Sequence, residues 1–202
     1  MRLRASGDVR PSPQERAERR PGDDLVPHPD VVMDTAFTVP APPRDVWPWV
    51  VQLGKKRAGW YLPRRVERLV PPGRRALRRV DQRWQALAVG DVIPDYGGRD
   101  ETFTVALLAP ERHLVHTSTR GSMRMTWSIV LRPTGSDDGA EAATRLLFRV
   151  RLAPVRRQWV ARTVGGLFDE LTIRGLAAGL TERLTESARN RRPGPGERRP
   201  DE

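Results

Sequence analysis

Cysteine is absent from this 202-residue chain. Its absence excludes structural disulfides, cysteine-ligated zinc, iron–sulfur clusters and a thiol nucleophile, and it suits a reducing compartment. Histidine is scarce, with only His28, His113 and His116. Long apolar runs are missing as well. No stretch reaches the roughly 18 uncharged apolar residues that a membrane span needs, and the opening MRLRASGDVRPSPQERAERRPGDD lacks the apolar centre of a signal peptide. The expectation is a soluble, cytoplasmic protein without a transmembrane segment. The local signatures G-x-S-x-G, P-loop and G-x-G-x-x-G do not occur, so hydrolase, nucleotide and dinucleotide readings have no anchor. Aromatic residues make up only 6% of the chain, yet three of the six tryptophans and a tyrosine crowd into DVWPWVVQLGKKRAGWY, residues 45–61. Such a cluster of rings builds either a packed core or the wall of a pocket.

What is abundant is positive charge, net +11. Each terminal segment (1–24 and 186–202) contributes only +1, while residues 55–83 hold eleven Lys and Arg against Glu67 and Asp81. A charge run is most often a solvated face. The functional alternative is an anionic partner, RNA or a membrane surface, met by Lys55, Lys56, Arg57, Arg74, Arg75, Arg78 and Arg79.

Both ends of the chain are polar, proline-bearing and aperiodic. They predict a disordered tail over 1–27, one domain over 28–188 and a second disordered tail over 189–202, because neither end offers enough apolar area to offset its ordering entropy. VVMDTAFTV (31–39) alternates like a half-buried strand. In the next segment Val46, Trp49, Val50 and Leu53 fall at i, i+3, i+4 and i+7 and predict a short helix, which Pro48 kinks and Gly54 stops. A second short helix over 63–70 would turn Val66 and Leu69 inward. Strands then dominate, at 89–94, 102–109, 113–118, 123–133 and 143–152, joined by turns short enough for consecutive hairpins. Met123, Met125, Trp127, Ile129 and Leu131 alternate with polar partners, as do Leu146, Phe148, Val150 and Leu152, which suggests a sheet covered on one face. A helical tract from Pro154 to about Arg189 supplies the cover. Its stripe of Val160, Val164, Leu167 and Leu171 thins to Gly175 and Ala178, a second stripe holds Leu176, Leu180 and Leu184, and Gly165-Gly166 breaks the tract.

Three pieces in order, PAPPRDVWPWVVQLGKKRAGWY, RWQALAVGDVIPD and TWSIVLRP with TRLLFRVR, resemble the START-like SRPBCC superfamily, in particular its bacterial polyketide cyclase/dehydrase-like members, over about residues 30–185. The resemblance implies an α+β helix-grip fold: a curved antiparallel sheet wrapped around a long C-terminal helix, with two short helices after the first strand. It also implies a hollow between sheet and helix holding a small hydrophobic or amphipathic molecule (lipid-, polyketide- or aromatic-like), in a monomer without cofactor. Trp49 would then face the core, and Trp60 and Tyr61 would lie near the mouth. Where the subgroup usually reads Trp-Tyr-Ser-Tyr-Asp, this chain follows Trp60-Tyr61 with Leu62-Pro63-Arg64 and so lacks a hydroxyl, a phenol and a carboxylate there.

The candidate ligand wall is therefore Trp49, Trp60, Tyr61, Met125, Trp127, Phe148, Leu167, Leu171 and Gly175. For catalysis only Tyr61 and His116 stand out, His116 as a general base if it faces inward. His113 and His116 look like a metal pair, but a spacing of three on a strand puts them on opposite faces, and no metal is expected. Asp91 and Asp95 flank a turn, where aspartates usually serve the backbone. Three functions remain in play: a binding module for the small molecule, a cofactor-free polyketide cyclase or dehydratase, and an interaction protein using the 55–83 patch.

Overall fold

The computed structural model describes residues 9–95, 100–135, 142–155 and 170–191. Six antiparallel strands form one curved sheet: β1 (Val31–Val39), β2 (Val92–Pro94), β3 (Thr102–Ala109), β4 (His113–Arg120), β5 (Met123–Thr134) and β6 (Ala143–Ala153), in the order β1-β6-β5-β4-β3-β2. Every connection except β1 to β2 joins neighbouring strands, and β1 closes the order by pairing with β6. Among the described residues four α-helices accompany the sheet: α1 (Pro13–Ala17), α2 (Pro43–Gln52), α3 (Arg64–Glu67) and α4 (Glu170–Arg191). This is the helix-grip arrangement, with two short helices after the first strand and a long one at the end.

The inner face of the sheet is apolar because its strands alternate in register. Trp127 stands opposite Val150, Ile129 opposite Phe148 and Leu131 opposite Leu146, all buried. Each such large apolar side chain removed from water contributes roughly 1.5–3 kcal/mol. In α2 the stripe Val46, Trp49, Val50 and Leu53 is buried as its spacing predicts, and Pro48 is accommodated inside the helix. The helix lies against β5 and β6, whereas α4 lies against β1 and α2. Sheet order therefore leaves the inner face of β2, β3 and β4 as the part furthest from both helices.

Over residues 9–27 the structure corrects the predicted tail, and residues 1–8 lie outside the described residues. From Val9 onward the chain packs across the outer face of the sheet, where Val26 is buried and Ala36, Val130 and Leu147 form a second small apolar cluster. Its acids answer the arginines of the outward-facing stripe. Glu15 binds Arg145 at 2.9 Å, Asp23 binds Arg149 at 2.9 Å, and Arg20 reaches Asp34 at 3.1 Å. Gly22, at φ 89°, passes so close to Val115 that a Cβ there would lie 2.5 Å from its Cγ1. Part of the outer face is thus covered by the N-terminal segment. The N-terminal segment contributes ionic as well as apolar contacts, which hydropathy does not register.

Two other expectations change. In α4 the buried positions are Ile173, Leu176, Ala177, Leu180, Arg183 and Leu184, so the second stripe faces the body, and Leu171 is 74% exposed. Val160, Val164, Gly165, Gly166 and Leu167 lie outside the described residues, as does the predicted tail from residue 192 onward. In α3 the predicted inward residues point out, with Val66 43% and Leu69 87% exposed, and Glu67 is buried in their place.

Candidate functional site

Beneath α4, where room was expected, the described side chains around Trp49, Tyr61, Leu176 and Leu180 pack closely. Trp49 and Tyr61 meet edge to face at 5.5 Å, and the Tyr61 hydroxyl donates to the Trp49 carbonyl at 2.9 Å. That engages the hydroxyl and removes Tyr61 as a proton-transfer candidate. Both rings border a cavity of only about 10 Å³, shared with Phe148, Leu176 and Leu180, which is roughly the space of one water and too apolar to hold it. Gly175 does not open a pocket. A Cβ on it would meet the Leu62 side chain at 3.0 Å, and one on Gly179 would run into the Tyr61–Leu62 backbone at 2.6–2.7 Å. The small residues of α4 bring a neighbouring strand of chain into contact rather than leaving a space. Trp60 is half-buried, with its indole N–H 3.5 Å from the Thr172 carbonyl. Leu171 is exposed rather than packed against the body.

The same region holds a buried ionic cluster that hydrophobic patterning did not reveal. Arg183, fully buried, lies 4.7 Å over the Tyr61 ring and donates to the carbonyls of Leu77 (2.7 Å), Leu62 (3.0 Å) and Gly179 (3.0 Å) and to the Glu67 carboxylate. Arg78 binds Glu67 at 2.9 Å, Glu186 at 2.9 Å and Glu182 at 3.3 Å. The signal was present in the sequence: Arg183 sits on the same stripe as Leu180 and Leu184. Much of the 55–83 charge is consumed in this way. Arg78 belongs to this cluster. Arg57 donates to the Val51 carbonyl at 3.0 Å and lies 4.7 Å over the Trp84 ring, and Lys55 donates to the Asp95 carbonyl at 2.9 Å. Lys56, Arg74, Arg75 and Arg79 remain exposed.

Polar chemistry gathers instead on the inner face of β4. Register places His116 opposite Trp127, Ser118 opposite Met125 and Arg120 opposite Met123, so a polar stripe runs along a face that is otherwise apolar. The His116 ring stacks on Trp127 at 5.2 Å and tilts against Phe103 at 5.7 Å. It is 2% exposed, and neither ring nitrogen reaches a hydrogen-bond partner. Burial first, then the positive charge of Arg57, push its pKa down to about 3, with the Trp127 main chain pulling weakly the other way. The imidazole is therefore neutral across the physiological range. The Ser118 hydroxyl is also buried and unpartnered, as is Nε of Arg57. At the end of the stripe Arg120 pairs with the buried Asp95 and lies 3.5 Å from Glu101. His113, on the outer face opposite Val130, is separated from His116 by the sheet. Among the described residues no group of three potential ligands could hold a metal ion. Asp91 accepts from the Ala88 amide at 2.9 Å and shapes its turn.

Of the sequence-predicted residues, the structure thus brings His116, Met125 and Trp127 together on one side and Trp49, Tyr61 and Phe148 on the other. Ser118 was missed, since a serine between Thr117 and Thr119 gives no signal until its face is known.

No protein-family model matches this chain, and a search of curated proteins finds no relative. Among solved structures, it is similar to a structural-genomics protein from Nitrosomonas europaea (18% identity, TM-score 0.47, covering 79% of this chain and 97% of the other). A second, from Mesorhizobium loti, has 16% identity and TM-score 0.45, covering 78% and 98%. A protein of the dynemicin biosynthetic locus has 21% identity and TM-score 0.43 over 79% of this chain, which spans about half (49%) of that protein.

Proposed function

We propose that this chain is a START-like SRPBCC protein that binds a small, largely apolar molecule, aromatic or polyketide-like, on the inner face of β3–β5, with His116 and Ser118 as its polar anchors. One observation supports this most: buried polar atoms without partners, set among Phe103, Met125 and Trp127. An unsatisfied buried donor or acceptor costs about 1–3 kcal/mol, and a guest bearing a carbonyl or hydroxyl recovers that cost. Neutral imidazole offers one donor and one acceptor, and the hydroxyl offers both. The flat rings of Trp127 and His116 favour a planar guest. A monomer fits the reading, because the N-terminal segment packs on the outer face of the sheet while α2 and α4 pack on the inner one, and the lack of cysteine fits a cytoplasmic setting.

Binding is favoured over cyclase or dehydratase chemistry for a stated reason. A general acid–base residue works best with a pKa near the operating pH, and His116 is held at about 3. With the Tyr61 hydroxyl engaged by the Trp49 carbonyl, neither of the two candidates that the sequence offered has the required poise.

The test is native mass spectrometry of freshly purified protein with solvent extraction, together with titration of a fluorescent apolar probe, 1-anilinonaphthalene-8-sulfonate. The expected result is a bound small molecule or saturable uptake, weakened about tenfold in His116→Phe through loss of one hydrogen bond. An interior that takes up nothing, or uptake indifferent to His116→Phe and Ser118→Ala, would refute the proposal.

A further inference from the structure

The segment after Tyr61 runs along α4 and then leaves the body at residues 64–75, RRVERLVPPGRR. Its only carboxylate, Glu67, is turned inside and held by Arg183 and Arg78. That anchoring rolls α3 over, so the apolar residues of the segment come out: Leu69 is 87% exposed and Val66 43%. Around them Arg65, Arg68, Arg74 and Arg75 are all exposed, and no exposed acid interrupts them. The tip is also pre-shaped. Arg75 donates from Nε to the Val70 carbonyl at 2.9 Å and from a terminal nitrogen to the Arg68 carbonyl at 3.3 Å, while Pro71 and Pro72 restrict the turn. At its base Arg64 binds Glu186 at 3.2 Å, and its amide donates to Glu182 at 2.8 Å.

We infer that this tip is a docking surface for an anionic lipid bilayer, with Leu69 entering the acyl boundary and the surrounding arginines lying at the level of the phosphates. An apolar point in a ring of cations, with the one acid withdrawn, matches the two layers of such a surface. RNA fits it less well. Base stacking needs exposed rings, the tip has none, and Trp60 and Tyr61 are half-buried and buried. The inference is independent of the interior site.

Flotation of the full chain with vesicles tests it, using phosphatidylcholine alone and phosphatidylcholine with about 30% phosphatidylserine as the anionic component. The chain partitions to the anionic vesicles only, and high salt releases it. Leu69→Ser weakens partitioning about tenfold, and the Arg68→Ser/Arg74→Ser pair weakens it about 25-fold, some fivefold per arginine. Both variants change exposed side chains and keep the parent's thermal melt. Failure to partition, equal affinity for neutral vesicles, indifference to Leu69→Ser, or binding of single-stranded RNA without binding of vesicles each overturns the inference.

Discussion

The neutral, buried imidazole of His116 should make this protein acid-sensitive well above the range in which carboxylates titrate. In the unfolded chain the group titrates near 6.5, and in the folded chain near 3. Because the folded pKa is depressed, the unfolded state binds the extra proton first as pH falls. Stability is then complete above about pH 6.5 and declines down to about pH 3. From these two values the loss is about 2 kcal/mol at pH 5 and about 4 kcal/mol at pH 3. No solvent discount applies, since the ring is 2% exposed. His116→Phe keeps a flat ring between Phe103 and Trp127 and removes the titration. Urea unfolding of both proteins at pH 7.5 and pH 5 isolates the effect. Carboxylates contribute little in that window, and His28 and His113 are common to both chains. The parent should lose about 2 kcal/mol more than the variant between the two pH values. Equal losses, or a His116 pKa near 6.5 by NMR, would show that the ring is hydrated or partnered, and the site assignment would go with it.

The remaining predictions concern α4. Gly179→Ala should cost about 3 kcal/mol, because its Cβ would meet backbone at 2.6 Å, while Gly175→Ala meets only the end of the Leu62 side chain and should be near neutral. Chemical melts that rank the two equally would contradict the close approach of the Tyr61–Leu62 backbone. Arg183→Met should cost about 3–5 kcal/mol by leaving the buried Glu67 to Arg78 alone and the Leu62 and Leu77 carbonyls without their donor, and adding Glu67→Gln should restore part of that loss. Strictly additive losses in the double variant would mean that the two groups do not share a buried site.

Much of the fold was legible because it rests on periodicity. Strand β1 and the stripe of α2 lie where the spacing puts them, and the inner faces of β5 and β6 were identified residue by residue, since period-two alternation needs no partner to be read. Legibility failed where a charged group was the buried one. Glu67 displaced Val66 and Leu69 from the interior, and Arg183 took a core position beside Leu184. Hydropathy assigns such residues to solvent, and only a partner from a distant part of the chain reverses that. The N-terminal segment was misjudged for the same reason, as its acids appear solvated until Arg145, Arg149 and Arg151 are seen across from them.

The candidate site divides in the same way. His116 and Trp127 were singled out in the sequence, but their stacking depends on the register between β4 and β5, and the unpartnered state of the imidazole depends on everything around it. The sequence by itself determined the strands, their apolar face, the absence of thiol chemistry and the excess of positive charge, because these follow from local pattern and composition. Tertiary structure alone decided which charges are buried, that Gly179 of α4 admits backbone and Gly175 the Leu62 side chain, and which end of the inner face carries polar groups. Those outcomes depend on pairings between residues tens of positions apart, and such pairings leave no periodic trace in the chain.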